Sequence, residues 1–390
     1  MTKKWVNIAD VLFFQEGPGV RNTQYTTSGV KLLNVANLVD GKVDLSKSDR
    51  YISEEEAYGK YRHFLCDDGD FVIASSGIKV EYIDKKMGFV DASMLPLCMN
   101  TSTIRFKVLD ENQLRIRYFM YYLKSKHFKE QLTKQITGSA QLNYGPSHLK
   151  KMIMPLIDIT VQDEIISCMD KLQSIIETRQ RELIELDRLM KARFVELFGD
   201  PRSNPFGFEK KRLKDTCKVI TGNTPSRAIA EYYGDYIEWI KTDNIVSGIL
   251  NPTQATESLS EKGMNVGRTV EKDSILMACI AGSIASIGRV CITDRTVAFN
   301  QQINAVVPEQ YNILFLYVLF QMSKDYLVED INMALKGILS KSKLEEKEFI
   351  IPPMDLQEQF SDFVKQVNKS KLNKIAARWP AKAVTQFFFS

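Results

Sequence analysis

Histidine, cysteine and carboxylate placement decides first what chemistry this chain could carry. Its three histidines, His63, His127 and His148, lie far apart in sequence. Its six cysteines (Cys66, Cys98, Cys168, Cys217, Cys279 and Cys291) form no Cys-x-x-Cys pair. That spacing predicts neither a zinc set nor a disulfide framework, and the thiols are expected to be plain buried ones. The HExxH, GxSxG, GxxxxGK[ST] and GxGxxG patterns are all missing. A DNA methyltransferase would need a glycine-rich cofactor loop and an Asn/Asp-Pro-Pro-aromatic tetrapeptide. Here Asn251-Pro252 is followed by Thr253, and Asn204-Pro205 by Phe206. Glu81 with Asp84-Lys85-Lys86 could be drawn as a metal-dependent nuclease site. Such charges in a strand turn are usually solvated, and the second half of the chain has nothing equivalent. No catalytic residue, metal ligand or cofactor of its own is expected.

What remains is a set of polar loops carrying amide, hydroxyl and basic side chains. In the first half these are Arg21, Asn22, Gln24 and Tyr25, then Ser75, Ser76 and Lys79, then Gln141, Asn143 and Tyr144. In the second half they are Asn223, Thr224, Ser226 and Arg227, then Ser283, Asn300, Gln301 and Gln302, then Lys336 and Lys341. Arg makes bidentate bonds to guanine, and Asn or Gln to adenine, while Lys, Ser, Thr and Tyr also serve phosphates. The plainer reading is that these are Gly/Pro turns with ordinary polar filling. A net charge of +4 permits a polyanionic partner without demonstrating one.

These loops need elements to hold them, and the strongest element runs from Thr160 to Phe198 without Gly or Pro. Ile165, Met169, Leu172, Ile176, Leu183, Leu186, Met190 and Leu197 recur at alternating steps of four and three, with Arg179 and Arg193 completing the series. That seam predicts a coiled-coil helix of about 55–60 Å at ~1.5 Å per residue. Thr160 with Asp163 is expected to cap its start, and Gly199, Pro201 and Pro205 to end it. The stems of Arg179 and Arg193 are expected to pack while their charges reach water or an acidic group on a partner helix. With 390 residues, 26% charged and 44% hydrophobic, the chain should hold two or three domains. No run of 18 apolar residues occurs, and a cytoplasmic protein without membrane contact is expected.

The chain also repeats itself. Ile8–Gly19 answers to Leu213–Ser226, about 205 positions later. Lys31–Leu38 answers to Glu238–Ile245, Gly69–Gly77 to Lys272–Gly282, and Asn100–Val108 to Asn300–Pro308. A helical pattern, a glycine-containing polar loop and a Pro-led helix start follow in both halves, always in the same order. The chain therefore reads as a tandem duplication of an α+β unit followed by a helix. In the second helix Leu356, Phe360, Phe363 and Val367 continue the seam before Ser370 and Lys374 break it. Two such helices most simply pair antiparallel. The expected layout is domain 1–154, central helix 155–200, domain 201–351, shortened helix 352–378 and an atypical tail 379–390.

Across nearly its whole length the chain resembles the specificity subunit of type I restriction-modification systems. The resemblance is carried by GPGVRNTQY with SGVKLLNVANL (Gly17–Leu38), TGNTPS (Thr221–Ser226), the loops IASSG and IAGSI, and the two Pro-led helix starts. It implies two tandem target-recognition domains joined by two long helices packed as an antiparallel coiled coil with approximate twofold symmetry. Each domain would read half of a split sequence in double-stranded DNA, and the helices would set the unread spacer. It further implies two methyltransferase subunits as partners, with restriction subunits joining the assembled complex. S-adenosylmethionine, ATP and Mg²⁺ would sit on those partners, none on this chain. The competing reading is a coiled-coil scaffold presenting two protein-binding domains, whose binding would be indifferent to DNA and to salt.

Overall fold

A computed structural model describes residues 4–136, 143–331 and 337–376, with side chains through Leu372. The chain divides into two compact units, one running to Glu177 and the other from Thr178 to Ala377.

In the first unit the apolar strand Phe71–Ala74 is buried along its length. It sits inside a four-stranded antiparallel sheet ordered Leu12–Glu16, Thr103–Val108, Phe71–Ala74, Met87–Phe89. A second sheet pairs Val30–Leu33 in parallel with Leu97–Met99. The helix Ile116–Leu123 lays Tyr118, Phe119 and Tyr122 into the core against Phe71 and Phe106. The antiparallel pair Lys4–Asn7 and Ile153–Leu156 leads out to the central helix.

The second unit repeats this plan. Its sheet is ordered Cys217–Thr221, Ile303–Pro308, Ile275–Ala278, Val290–Ile292, again antiparallel. Ile237–Ile240 pairs in parallel with Val297–Phe299. The helix Ile313–Met322 and the strand pair Glu209–Arg212 with Glu348–Ile351 follow. Even the joints recur. Buried Gln162 accepts from the Arg115 backbone N–H at 2.9 Å, and buried Gln357 accepts from that of Asn312 at 2.9 Å. The expected α+β duplication is the fold observed.

One interior differs. Arg105 lies across from Gln15 and Val72, where the second unit has Ala305 across from Ile220 and Leu276. Buried Arg105 donates to the Leu65 and His63 carbonyls and to Gln15, each at 2.7 Å, and pairs with buried Asp70 at 3.2 Å. The counterpart of Asp70 is Ser274, and the second unit fills that layer with Leu276, Phe299 and Ile303.

The central helix spans Ile159–Phe198. Its cap is Asp158, not Thr160, because Asp158 Oδ1 accepts from the Thr160 backbone N–H at 2.9 Å and from its hydroxyl. At the other end Gly199 takes φ +69°, and a Cβ there would lie 2.3 Å from Pro205. The seam divides by location. Ile165 and Met169 are buried in the first unit's core with Leu172 packed on it, so they belong to that globule rather than to a helix pair. Ile176, Leu183, Leu186 and Leu197 are half-buried. Arg179 and Arg193 pair within their own helix, with Glu182 at 2.8 Å and Glu196 at 2.7 Å.

Within the second unit the C-terminal helix, Met354–Ala376, runs antiparallel to the central one. Phe360 meets Phe194 and Phe198 at 5.6 and 5.5 Å, and Lys371 pairs with Asp187 further along. Phe315 completes this aromatic hub. Phe360 and Val367 are buried as expected, whereas Leu356 and Phe363 are half-buried. The buried stripe is Gln357, Phe360, Val364, Val367 and Lys371. It outlasts the expected break after Val367 because Asp187 neutralises the buried Lys371 ammonium.

Five cysteines are buried, but Cys168 is exposed on the central helix, against the expectation of buried thiols throughout. Burial pushes the thiols of Cys66, Cys98, Cys217, Cys279 and Cys291 up to about 12. Among the described residues no helix is long and apolar enough to cross a membrane.

Candidate nucleic-acid interface

Each unit places its first polar turn directly over the loop that follows its parallel strand. A Cβ on Gly17 would fall 2.1 Å from the Asn100 carbonyl oxygen, and one on Gly222 would fall 2.2 Å from that of Asn300. Only glycine lets the two backbones approach so closely. The same N–H bonds recur, from Gly17 to the Thr103 carbonyl at 2.9 Å and from Gly222 to that of Ile303 at 3.0 Å.

In the first unit this brings the Gly17–Tyr25 turn, the Ser75–Lys79 loop and Asn143 to one end of the sheet. Ser76 donates to the Ser102 hydroxyl at 2.6 Å and bridges in strand fashion to Asn143. Arg21, Asn22, Lys79 and Asn143 are exposed and available to a partner. Gln24 and Tyr25 are already engaged by neighbouring residues. Gln24 accepts from the Arg21 backbone N–H at 3.0 Å and donates to Glu56 at 2.6 Å. The Tyr25 hydroxyl accepts from Asn100 at 3.3 Å, with Arg50 lying 5.2 Å over its ring.

In the second unit the turn from Gly222 to Arg227 meets the Asn300–Gln302 loop, where Thr224 donates to Gln301. Asn223 donates to the Val266 carbonyl at 2.9 Å. Arg227 pairs with Glu257 at 2.6 Å, and Lys241 binds the other oxygen of that carboxylate. The Lys241 and then the Arg227 hydrogen bond hold the Glu257 carboxyl below its ordinary value. Ser226, Ser283, Gln301 and Lys341 are exposed, and Gln302 is half-buried. Ser283 bonds Ser286 at 3.0 Å, and Lys341 pairs with Glu345 at 3.5 Å.

Three expected contacts are interior residues. Ser75 is 1% exposed and donates to Glu16 at 3.2 Å. Tyr144 is 2% exposed and gives its hydroxyl to the Ala74 carbonyl at 3.0 Å. Its counterpart is buried Leu339, since Tyr144 and Leu339 donate their N–H groups to the matching carbonyls of Ser75 and Cys279. Asn300 is 6% exposed and closes its loop by accepting from the Gln302 N–H at 3.1 Å. Gln141 and Lys336 lie outside the described residues. Sequence reasoning missed Trp239, Tyr233 and Glu257, which hold the second turn. The alternation of Tyr233, Trp239 and Lys241 with acidic residues was the available signal.

Two copies of one α+β unit, each presenting a pinned polar turn and each ending in a long helix, make a tandem-repeat architecture. A family model described as the type I restriction modification DNA specificity domain matches residues 18–188 and again 205–378. The chain belongs to that family. It is 33% identical over 146 residues to the type I restriction enzyme HindI specificity subunit of Haemophilus influenzae, covering 36% of this chain and 31% of that protein. It is 28% identical over 184 residues to the MjaIX specificity subunit of Methanocaldococcus jannaschii, covering 44% and 41% respectively. Each match thus spans less than half the relative's length. Two solved structures share the fold at 14% identity, each with 99% of this chain and 96% of the other covered. They are the type I system S subunit from M. genitalium, at a TM-score of 0.53, and a chain from a study of type I R-M complex assembly and conformational transition, at 0.55.

Proposed function

We propose that this chain is the non-catalytic DNA-specificity subunit of a type I restriction-modification enzyme. Each unit reads one half of a split target in double-stranded DNA, and the long helices set the spacer and dock methyltransferase subunits, two in number. Restriction subunits join through the assembled complex, and S-adenosylmethionine, ATP and Mg²⁺ are bound by the partners. The observation that carries this reading is the duplication at the level of single hydrogen bonds. The Gly17 and Gly222 turns sit on the same scaffold, so two readers of one design are held by one chain. The helix is about 60 Å long at ~1.5 Å per residue, between one and two DNA turns of 34–36 Å, and both its ends are buried in the units, so half-sites within that range suit it. Phosphate contacts supply much of the affinity, which falls with salt, and the turns supply discrimination.

Co-purification with the methyltransferase subunit encoded beside it, followed by genome-wide mapping of methylated adenines, tests this directly. A split motif with a fixed spacer is expected. A protein that binds no methyltransferase subunit and is indifferent to DNA would sink the reading. Arg21→Ala should relax one half-site and leave the other intact, whereas equal loss at both would remove the first turn from the interface.

A further inference from the structure

The Gly222–Arg227 turn is held more firmly than a surface loop requires. The Trp239 indole N–H donates to the Asn223 carbonyl at 3.3 Å, and the Tyr233 hydroxyl donates to the Pro225 carbonyl at 2.7 Å. From this fixed base Arg227 lies over both rings, 4.6 Å from the centre of Tyr233 and 5.4 Å from that of Trp239. Its side chain is still 57% exposed, and one terminal nitrogen donates to Glu257 at 2.6 Å. A guanidinium carries five N–H donors in a rigid plane. Here the guanidinium rests against both rings, a carboxylate holds one of its terminal nitrogens, and the side chain stays largely exposed.

That arrangement discriminates between two uses. A phosphate contact needs only a reachable positive charge, not a guanidinium held against two rings by a carboxylate that Lys241 also binds. Guanine offers O6 and N7 as paired acceptors, which suit a planar fork. We infer that Arg227 reads guanine of one G·C pair in the second unit's half-site and that Glu257 is its positioning residue. The inference rests on the DNA-specificity reading above and assigns one base pair within it. Arg50 over Tyr25 in the first unit lacks this buttress, since its guanidinium meets the ring hydroxyl at 3.5 Å rather than a carboxylate.

The test uses the full chain assembled with its methyltransferase subunit, methylating a randomised duplex library. Wild type should return a split motif, and failure at that step counts against the specificity reading itself. Glu257→Gln keeps the shape and removes the charge. Arg227→Lys keeps the charge and removes the fork, at an exposed position where folding is not at stake. Each should lower discrimination at a single G·C position of one half-site roughly tenfold or more and leave every other position as it was. Glu257→Asp should restore part of it. Weaker binding spread evenly over all sequences, with a shallower salt dependence, would make Arg227 a phosphate contact and overturn the inference. An unchanged motif in Arg227→Lys would overturn it equally.

Discussion

The two units solve one packing problem in two ways. At the centre of its main sheet the first unit buries Arg105 against Asp70 and ties the Leu65 segment down with it. At the same place the second unit has Ala305 in an apolar layer. One backbone plan thus tolerates a charged interior or a greasy one. A buried ion pair is costly to break and close to neutral to replace wholesale. So the fold itself demands neither solution.

The sharpest way to break the comparison is to orphan the charge. Asp70→Ala should destabilise the first unit by about 3–5 kcal/mol, read as faster hydrogen exchange in its sheet but not in the second unit's. Adding Arg105→Leu should recover at least ~1 kcal/mol by copying the apolar solution. If Asp70→Ala alone is silent, the pair does not organise that core.

The start of each long helix offers a second contrast. Ile165 and Phe360 follow Gln162 and Gln357 at the same spacing. Phe360→Ala should cost about 3–5 kcal/mol by emptying the hub, and Ile165→Ala about 2–5 kcal/mol, both by chemical denaturation. The glutamines should behave similarly, because each accepts from the N–H of Arg115 or Asn312 and donates to the carbonyl five residues back, Ile157 or Pro352, while Gln162 also donates to Gln113. Gln162→Ala and Gln357→Ala should each cost about 1–3 kcal/mol, and a large disparity would show that the joints are not equivalent.

The smallest effect is on acidification. Glu257 in the second unit and Asp67 in the first are both held below their ordinary values, Glu257 first by the Lys241 hydrogen bond and Asp67 first by that of Lys107. A lowered carboxyl adds stability above its unfolded value and loses it as pH falls through the folded one. Both contacts should therefore persist at neutral pH and loosen only below the ordinary carboxylate range. Carboxyl chemical shifts followed from pH 6 to about 2 would check this, and loosening on raising the pH would contradict it.

The repeated scaffold was legible because its apolar strands and paired turns recur in order, and the described residues keep that order. The seam was legible in part. A 4-3 count keeps a 3.5-residue period, whereas a straight helix has 3.6 and drifts about 20° per heptad. Over the length of the central helix the buried face therefore slips by about one residue. Counting from Ile165 led to Leu197, and the hub uses Phe194 and Phe198. Polar residues hid the rest, since Gln357 and Lys371 break a hydrophobic pattern yet are buried with partners. Residue type and loop placement point Ser75, Tyr144 and Asn300 towards the surface, yet all three are buried. Their burial follows from loops folding back on themselves, which composition does not register.

The uneven cysteines give the protein a built-in spectroscopic handle. Five thiols are shielded and reluctant to ionise, while Cys168 stands in solvent on the central helix beside buried Met169. A maleimide dye at neutral pH should therefore label one position of the native chain without mutagenesis. Attached there, a fluorophore would report the docking of any large partner along that face in real time.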